Sequence, residues 1–79
     1  MPSAAIVDDR AHFALDVYED RGHAFVKVTT VGPFLATDAE AREQLRRTKE
    51  ANLPHLTERP RKVIASRYNP ELKRWFQWR

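Results

Sequence analysis

The last quarter of the sequence interleaves cationic and aromatic side chains. Residues 59–79 have seven Arg/Lys residues against one acidic residue, whereas residues 1–58 have seven against ten. The cationic residues are Arg59, Arg61, Lys62, Arg67, Lys73, Arg74 and Arg79, and the aromatic ones are Tyr68, Trp75, Phe76 and Trp78. Cationic side chains neutralise phosphates, and flat rings stack on unpaired bases. This mixture therefore suits single-stranded nucleic acid or an RNA loop.

The same residues also have a purely structural explanation. A tryptophan, together with Phe76, can fill the core, and the basic residues can form a solvated face that protects a sheet edge. In a strand, Trp75 and Gln77 lie on one face while Phe76 and Trp78 lie on the other. At least one aromatic face is therefore a candidate for exposure, unless the helix and the N-terminus cover both sides.

A protein partner fits this surface too, because arginine, tryptophan and tyrosine are enriched at interface hot spots. Such a patch can dock on an acidic protein groove, including one that normally holds nucleic acid. The predicted binding residues are Arg61, Lys62, Arg67, Tyr68, Lys73, Arg74, Trp75, Trp78 and Arg79. A secondary basic face on the predicted helix consists of Arg42, Arg46 and Lys49. The sequence leaves the choice between the two partners open.

The histidines have no spacing typical of a metal or catalytic site. His12, His23 and His55 are scattered, with no i, i+4 pair. His12 and His23 could meet across a hairpin, but a metal would need a third ligand such as Asp16 or Glu19. We expect incidental polar histidines and no metal.

The remaining reactive groups do not form a catalytic pattern either. The carboxylate pairs Asp8-Asp9 and Glu19-Asp20 are sequence neighbours that nothing aligns for acid/base work. The two serines lie in no nucleophile motif, and the two glycines are isolated, so no phosphate-cradling loop is present. The sequence predicts no catalytic residues and no cofactor, and hence a protein that is not an enzyme.

The composition is that of an ordinary globular protein. The chain has 79 residues, of which 42% are hydrophobic and 32% charged, and we expect one domain over residues 1–79. Cysteine is absent, which excludes disulfides and thiolate zinc sites and fits a reducing compartment. No stretch resembles a signal peptide or a membrane span. The sequence therefore predicts a cytoplasmic protein with no membrane partner, either a monomer or a homodimer.

One helix between two hairpins accounts for the hydrophobic periodicity. Residues 37–53 read as the helix, with Thr37 as its cap, Glu40 completing a capping box, and Pro54 beyond its end. A period of two in residues 11–18 places Phe13, Leu15 and Val17 inward. Residues 23–31, 61–68 and 73–79 complete four strands. The predicted fold is α+β, in the order β-β-α-β-β, with a mostly antiparallel four-stranded sheet and the helix packed on one face.

These features support three functional hypotheses. The first is a small non-enzymatic protein whose basic aromatic C-terminal hairpin binds nucleic acid or the protein groove that holds it. The second is an inhibitor that binds a host defence complex. The small size, mixed fold and concentrated charge are similar to those of phage or mobile-element inhibitors of the anti-CRISPR or anti-restriction type, which block such complexes. The third is a homo-oligomer that pairs through the fourth strand and buries Trp78 between copies.

Overall fold

One helix packs across one face of a four-stranded antiparallel sheet in the computed structural model, which describes residues 9–79. The elements are β1 Ala11–Asp20, β2 Phe25–Ala36, α1 Asp38–Ala51, a 3-10 helix Pro54–Leu56, β3 Arg61–Asn69 and β4 Arg74–Gln77. The strands lie in the order β2-β1-β3-β4. The predicted α+β fold, β-β-α-β-β, is confirmed. The two hairpins join through β1 and β3, a pairing that the sequence left open.

Strand β1 forms the centre of the core because it lies between two other strands and under the helix. Its residues Phe13, Leu15 and Val17 are fully buried, as their period of two predicted. In the neighbouring strand β3, Ala65 lies opposite Leu15, and Val63 lies opposite Val17. Directly opposite residues share a sheet face. We call this face, which packs against α1, the helix face, and the other one the open face.

Strand β2 departs from its predicted pattern because its register with β1 shifts twice. The sequence predicts an inward set of Ala24, Val26, Val28 and Thr30. The first shift leaves Val28 as an extra residue, so the alternation inverts beyond it. Thr30 faces away from the helix, where its Oγ1 donates to Asp16 Oδ1 at 2.7 Å, and Val31 lies opposite Leu15 instead. The predicted inward position of Thr30 is therefore wrong.

The second shift lies at Gly32-Pro33, where the sequence predicted that the strand would end. The strand instead continues to Ala36. Gly32 has a φ of +104°, and a Cβ placed on it would lie 2.9 Å from the carbonyl oxygen of Phe13 and 2.9 Å from Cδ1 of Phe34. Only glycine fits this position without moving the backbone of the central strand.

Gly32→Ala is expected to lower the free energy of unfolding by about 2 to 3 kcal/mol, because the new methyl group meets backbone in a conformation that alanine disfavours. Urea unfolding followed by circular dichroism measures the loss. Gly22→Ala is the matched control, since Gly22 has a φ of +88° but a Cβ placed on it would have nothing within 4 Å. The control should lose only about 1 kcal/mol. Equal losses would show that the close approach at Gly32 adds nothing.

The helix begins at its predicted cap, Thr37, and ends at Ala51, two residues before the predicted end, with Asn52 as its C-cap. Thr37 Oγ1 accepts from the Glu40 amide at 3.2 Å, and Glu40 Oε1 accepts from the Thr37 amide at 3.0 Å, which completes the capping box. These hydrogen bonds hold the pKa of Glu40 below its usual value. Ala41 and Thr48 are the buried residues of its sheet-facing stripe. No helix within residues 9–79 is long and apolar enough to cross a membrane.

Both hairpin turns use side chains to satisfy their own backbone. Asp20 Oδ1 accepts from the Gly22 amide at 2.8 Å in the first turn. Asn69 Oδ1 accepts from the amides of Glu71 and Leu72 at 2.9 and 3.1 Å in the second. Asp and Asn at these places predicted the turns, so both are confirmed.

Candidate binding site on the open sheet face

The open face is not covered by any element of residues 9–79, because α1 packs on the opposite side of the sheet. The strand registers determine which side chains lie on this face. They are His12, Ala14, Asp16, Tyr18 and Asp20 of β1, Phe25, Lys27, Thr30 and Leu35 of β2, Lys62, Ile64, Ser66 and Tyr68 of β3, and Trp75 and Gln77 of β4. This surface combines aromatic rings with two lysines and two aspartates.

The first aromatic pair on this face is formed by Tyr68 and Trp75. The two residues lie opposite each other on β3 and β4, and their rings meet edge to face with centroids 5.3 Å apart. Trp75 remains 42% exposed. Because contact with Tyr68 already restricts the exposed indole of Trp75, this side chain loses little conformational entropy when a ligand binds. The indole is therefore well suited to stacking.

A second aromatic pair lies at the other end of the open face. Tyr18 of β1 and Phe25 of β2 flank Lys62, whose Nζ lies 4.0 Å from the centroid of Phe25 and 5.9 Å from that of Tyr18. Tyr68 and Lys62 are six residues apart on β3, which corresponds to about 20 Å along a strand. The open face therefore presents two aromatic pairs about 20 Å apart. Lys62 lies at the second pair.

The remaining aromatic residues of the C-terminal hairpin lie on the helix face. Trp78 is half-buried, meets the ring of Phe13 edge to face at 4.8 Å, and has the guanidinium of Arg42 4.8 Å from its own centroid. Phe76 lies on the same side, opposite Arg67. The alternation predicted this split, with Trp75 and Trp78 on different faces. Trp78 is thus a core residue, whereas Trp75 is the exposed one.

Arg61 belongs to the predicted binding residues, but the structure places it within an internal polar cluster. Its guanidinium donates to Glu19 Oε2 at 3.1 and 3.2 Å and to Asn52 Oδ1, at the end of α1, at 2.9 Å. The hydrogen bonds from Arg61 hold the pKa of Glu19 below its usual value. This cluster joins β1, β3 and the helix end, so its role is to position elements.

Three of the other predicted cations lie around the turn of the C-terminal hairpin. Lys73 lies in the turn with a φ of 53°, and Arg74 places its guanidinium 5.5 Å from the centroid of Phe76. Arg67 lines a groove of about 710 Å³ between the first residues of β1 and the last residues of β3. The groove reaches the open face at Tyr68. Arg79 follows β4 as the last residue of the chain.

Comparisons with protein-family models, with curated proteins and with solved structures find no match. The function must therefore be inferred from the geometry of the chain. On that geometry, the predicted binding residues do not form one patch. Lys62, Tyr68 and Trp75 share the open face. The predicted residues on the helix face are Arg61, Arg67, Arg74 and Trp78.

Two aromatic residues and one lysine of the open face were not among the predicted binding residues. Tyr18, Phe25 and Lys27 come from the first hairpin, far in sequence from the basic aromatic quarter. The alternation that placed Phe13 inward also placed Tyr18 outward, so a signal was present for that residue. The sequence did not predict that β1 pairs with β3, and this pairing places Tyr18 opposite Lys62.

The secondary basic face of the helix is largely engaged in ion pairs. Glu43 Oε1 accepts from Arg46 at 2.6 Å and from Arg47 at 3.0 Å, and Arg46 also pairs with Glu50. Hydrogen bonds from Arg46 and Arg47 lower the pKa of Glu43 to about 2. Of the three predicted residues, Arg42 lies over Trp78, Arg46 is held in this network, and Lys49 is exposed.

Glu43→Gln is expected to be less stable than the parent protein at neutral pH, by an amount that disappears in acid. A carboxylate with a lowered pKa stabilises the folded state fully above its unfolded-state pKa, near 4.5, and loses this effect as the pH falls toward about 2. Urea midpoints of both proteins from pH 7 to pH 2 measure the difference. Salt at 1 M should also shrink it at pH 7. A difference that stays constant across this pH range would contradict the prediction.

The histidines do not converge in the structure. His12 lies opposite Leu35 at one end of the first hairpin, whereas His23 lies in the loop at the other end. The suggested meeting of these two side chains is therefore wrong. Within residues 9–79, no group of three or more His, Cys, Asp or Glu residues is placed to hold a metal ion. Asp8, of the first carboxylate pair, lies outside the described residues.

Proposed function

We propose that the protein binds single-stranded nucleic acid on its open sheet face, without catalysing a reaction. The observation that supports this most strongly is the presence of two aromatic pairs on the open face, Tyr68 with Trp75 and Tyr18 with Phe25, with Lys62 at the second. Base stacking on such rings contributes about 1 to 3 kcal/mol per base. Some RNA-binding modules use the rings on a four-stranded sheet in this way to stack two or three bases.

The shape of the face favours single strands over a duplex. The two aromatic pairs are separated by about 20 Å along β3, and this distance matches a short run of bases that extends from one pair to the other. Rings on a flat sheet can reach bases only when these are unpaired, since the bases of a duplex are stacked on each other and reached through its grooves. Duplex binding would leave Trp75 without a stacking partner.

The charge distribution supports an anionic partner. Residues 59–79 have an excess of six positive charges, and Lys73 lies in the turn near Trp75, while Arg67 and Arg74 lie at the same end of the hairpin on its helix face. Such a concentration attracts a phosphate backbone over distances of about one Debye length. Glu19, which would oppose this attraction, is held by Arg61 on the helix face.

A protein partner is the second candidate, and one observation favours it. Leu35 is 48% exposed on the open face, where it lines the same groove as Tyr68. An aliphatic side chain contributes little to the binding of a nucleic acid. A protein that handles nucleic acid, including a host defence complex of the kind that small phage inhibitors block, could bury it together with Trp75. The same experiment separates the two candidates.

Tryptophan fluorescence of a Trp78→Phe variant, titrated with short single-stranded oligonucleotides, tests the proposal. This variant keeps an aromatic ring against Phe13 and makes Trp75 the only emitter. We expect saturable quenching by single strands, weaker quenching by a duplex of equal length, and affinity that falls with salt. The Trp75→Phe variant, which emits from the core, should respond little. No quenching at low salt, with the protein folded, would reject nucleic acid and direct the search to a protein partner.

A further inference from the structure

A shallow hollow lies in the open face between the two aromatic pairs. Its volume is about 270 Å³, and its lining residues are Ala14, Asp16, Lys27, Thr30, Pro33, Ser66 and Trp75. Ala14 and Ser66 lie directly opposite each other on β1 and β3, so the two central strands place small side chains at its floor. Drug-sized ligands occupy pockets of about 300 to 1,000 Å³. A hollow slightly smaller than these suits a single base lying against the indole of Trp75.

Asp16 is the unusual residue of this hollow, since a carboxylate repels the phosphates that the surrounding cations attract. Its Oδ1 accepts from Thr30 Oγ1 at 2.7 Å and lies 4.0 Å from Lys27 Nζ, and its side chain is 22% exposed. Within residues 9–79, no side chain or amide donates to its Oδ2. A carboxylate held at one oxygen and open at the other is fixed in orientation and ready to accept further N–H groups.

We propose that this hollow gives the open face a preference for guanine, an inference that rests on the proposed binding of single-stranded nucleic acid. The Watson–Crick edge of guanine presents two adjacent donors, the N1–H and the N2 amino group, which match the two oxygens of the Asp16 carboxylate. Lys27, beside the same carboxylate, can donate to the guanine O6. Trp75 supplies the stacking surface at the wall.

The other bases do not match the carboxylate as well. Adenine and cytosine each present one amino group beside a ring nitrogen that is an acceptor, and this acceptor would face a carboxylate oxygen. Uracil and thymine present one N–H between two acceptor oxygens. A bidentate contact of this kind discriminates against the wrong base by about tenfold to hundredfold, and we expect the lower figure because the hollow is open.

Titration of the Trp78→Phe protein with five-residue oligouridylates that differ only at the central base tests the inference. We expect central guanine to bind about tenfold more tightly than central adenine, cytosine or uracil. Hypoxanthine lacks the N2 amino group and should fall between guanine and adenine. This comparison uses one protein, so it does not depend on how a variant at Asp16 folds.

Asp16→Asn is expected to abolish the guanine preference, because its amide replaces one acceptor oxygen by a donor. Asp38→Asn is the matched control: it removes the same charge from the first turn of α1, on the other side of the sheet, and should keep the preference. If all five oligonucleotides bind the parent protein equally, the inference is overturned while the proposed function stands. If none binds, both fall together.

Discussion

Trp75→Ala is expected to weaken the binding of a single-stranded oligonucleotide by about tenfold to hundredfold while lowering the free energy of unfolding by only about 1 kcal/mol. The loss follows from the roughly 1 to 3 kcal/mol that one stacked base contributes. Stability should fall by about 1 kcal/mol, the usual contribution of an edge-to-face ring pair, because Trp75 is 42% exposed and its ring contacts Tyr68. Fluorescence anisotropy of a labelled oligonucleotide and urea unfolding measure the two quantities independently.

Trp78→Ala is the matched variant, with the reverse outcome. Its ring packs on Phe13 in the centre of the core, so its removal should cost about 3 kcal/mol of stability. The protein that remains folded should keep the parent affinity, because Trp78 lies on the helix face. Equal effects of the two substitutions on affinity would show that the open face is not the binding surface. A loss of stability at Trp75 as large as that at Trp78 would show that its ring has mainly a structural role.

The local features of the fold were predictable because they depend on residues close in sequence. Thr37 and Glu40 form a capping box within four residues of each other, and Asn69 satisfies the amides of its own turn. The burial of Phe13 and Leu15 follows from a period of two that is not interrupted in β1. These elements could therefore be assigned, together with the β-β-α-β-β order.

The side-chain orientation of strand β2 could not be predicted from its own residues. An extra residue at Val28 inverts the alternation, and a single inversion exchanges the two faces for the residues beyond it. Nothing in the run of β-branched residues from Val26 to Val31 distinguishes a bulged strand from a regular one. The bulge is set by pairing with β1, so it is a property of the sheet rather than of the segment.

The candidate site was predictable only in part, for the same reason. Alternation separated Trp75 from Trp78, but only the position of α1 decides which of the two faces is covered. Arg61 donates hydrogen bonds to Glu19, which lies 42 residues earlier in the chain. No local sequence pattern predicts this contact. Composition located the basic aromatic hairpin, whereas the contribution of the first hairpin depended on the β1–β3 register.

Lys62→Glu is expected to weaken the binding of single strands by about tenfold or more at low salt. Lys62 is the cation of the second aromatic pair, with its Nζ 4.0 Å from the centroid of Phe25, and a carboxylate there would repel the backbone that crosses the face. Each phosphate contact of a single strand contributes about 0.7 to the slope of log K against log salt concentration. Reversal of one charge should therefore reduce the steepness of that slope by about 1. Titrations at several salt concentrations measure both effects.

Lys49→Glu makes the same change in net charge on the exposed side of α1, across the sheet from the open face. Its effect should stay within about twofold at 0.1 M salt, where charges more than about 10 Å apart are largely screened. A similar loss in both variants would mean that net charge alone attracts the nucleic acid, with no preferred face. A loss at Lys49 but not at Lys62 would move the interface to the helix. Loss at Lys62 alone, together with the Trp75 result, would place the strand across the sheet between the two aromatic pairs.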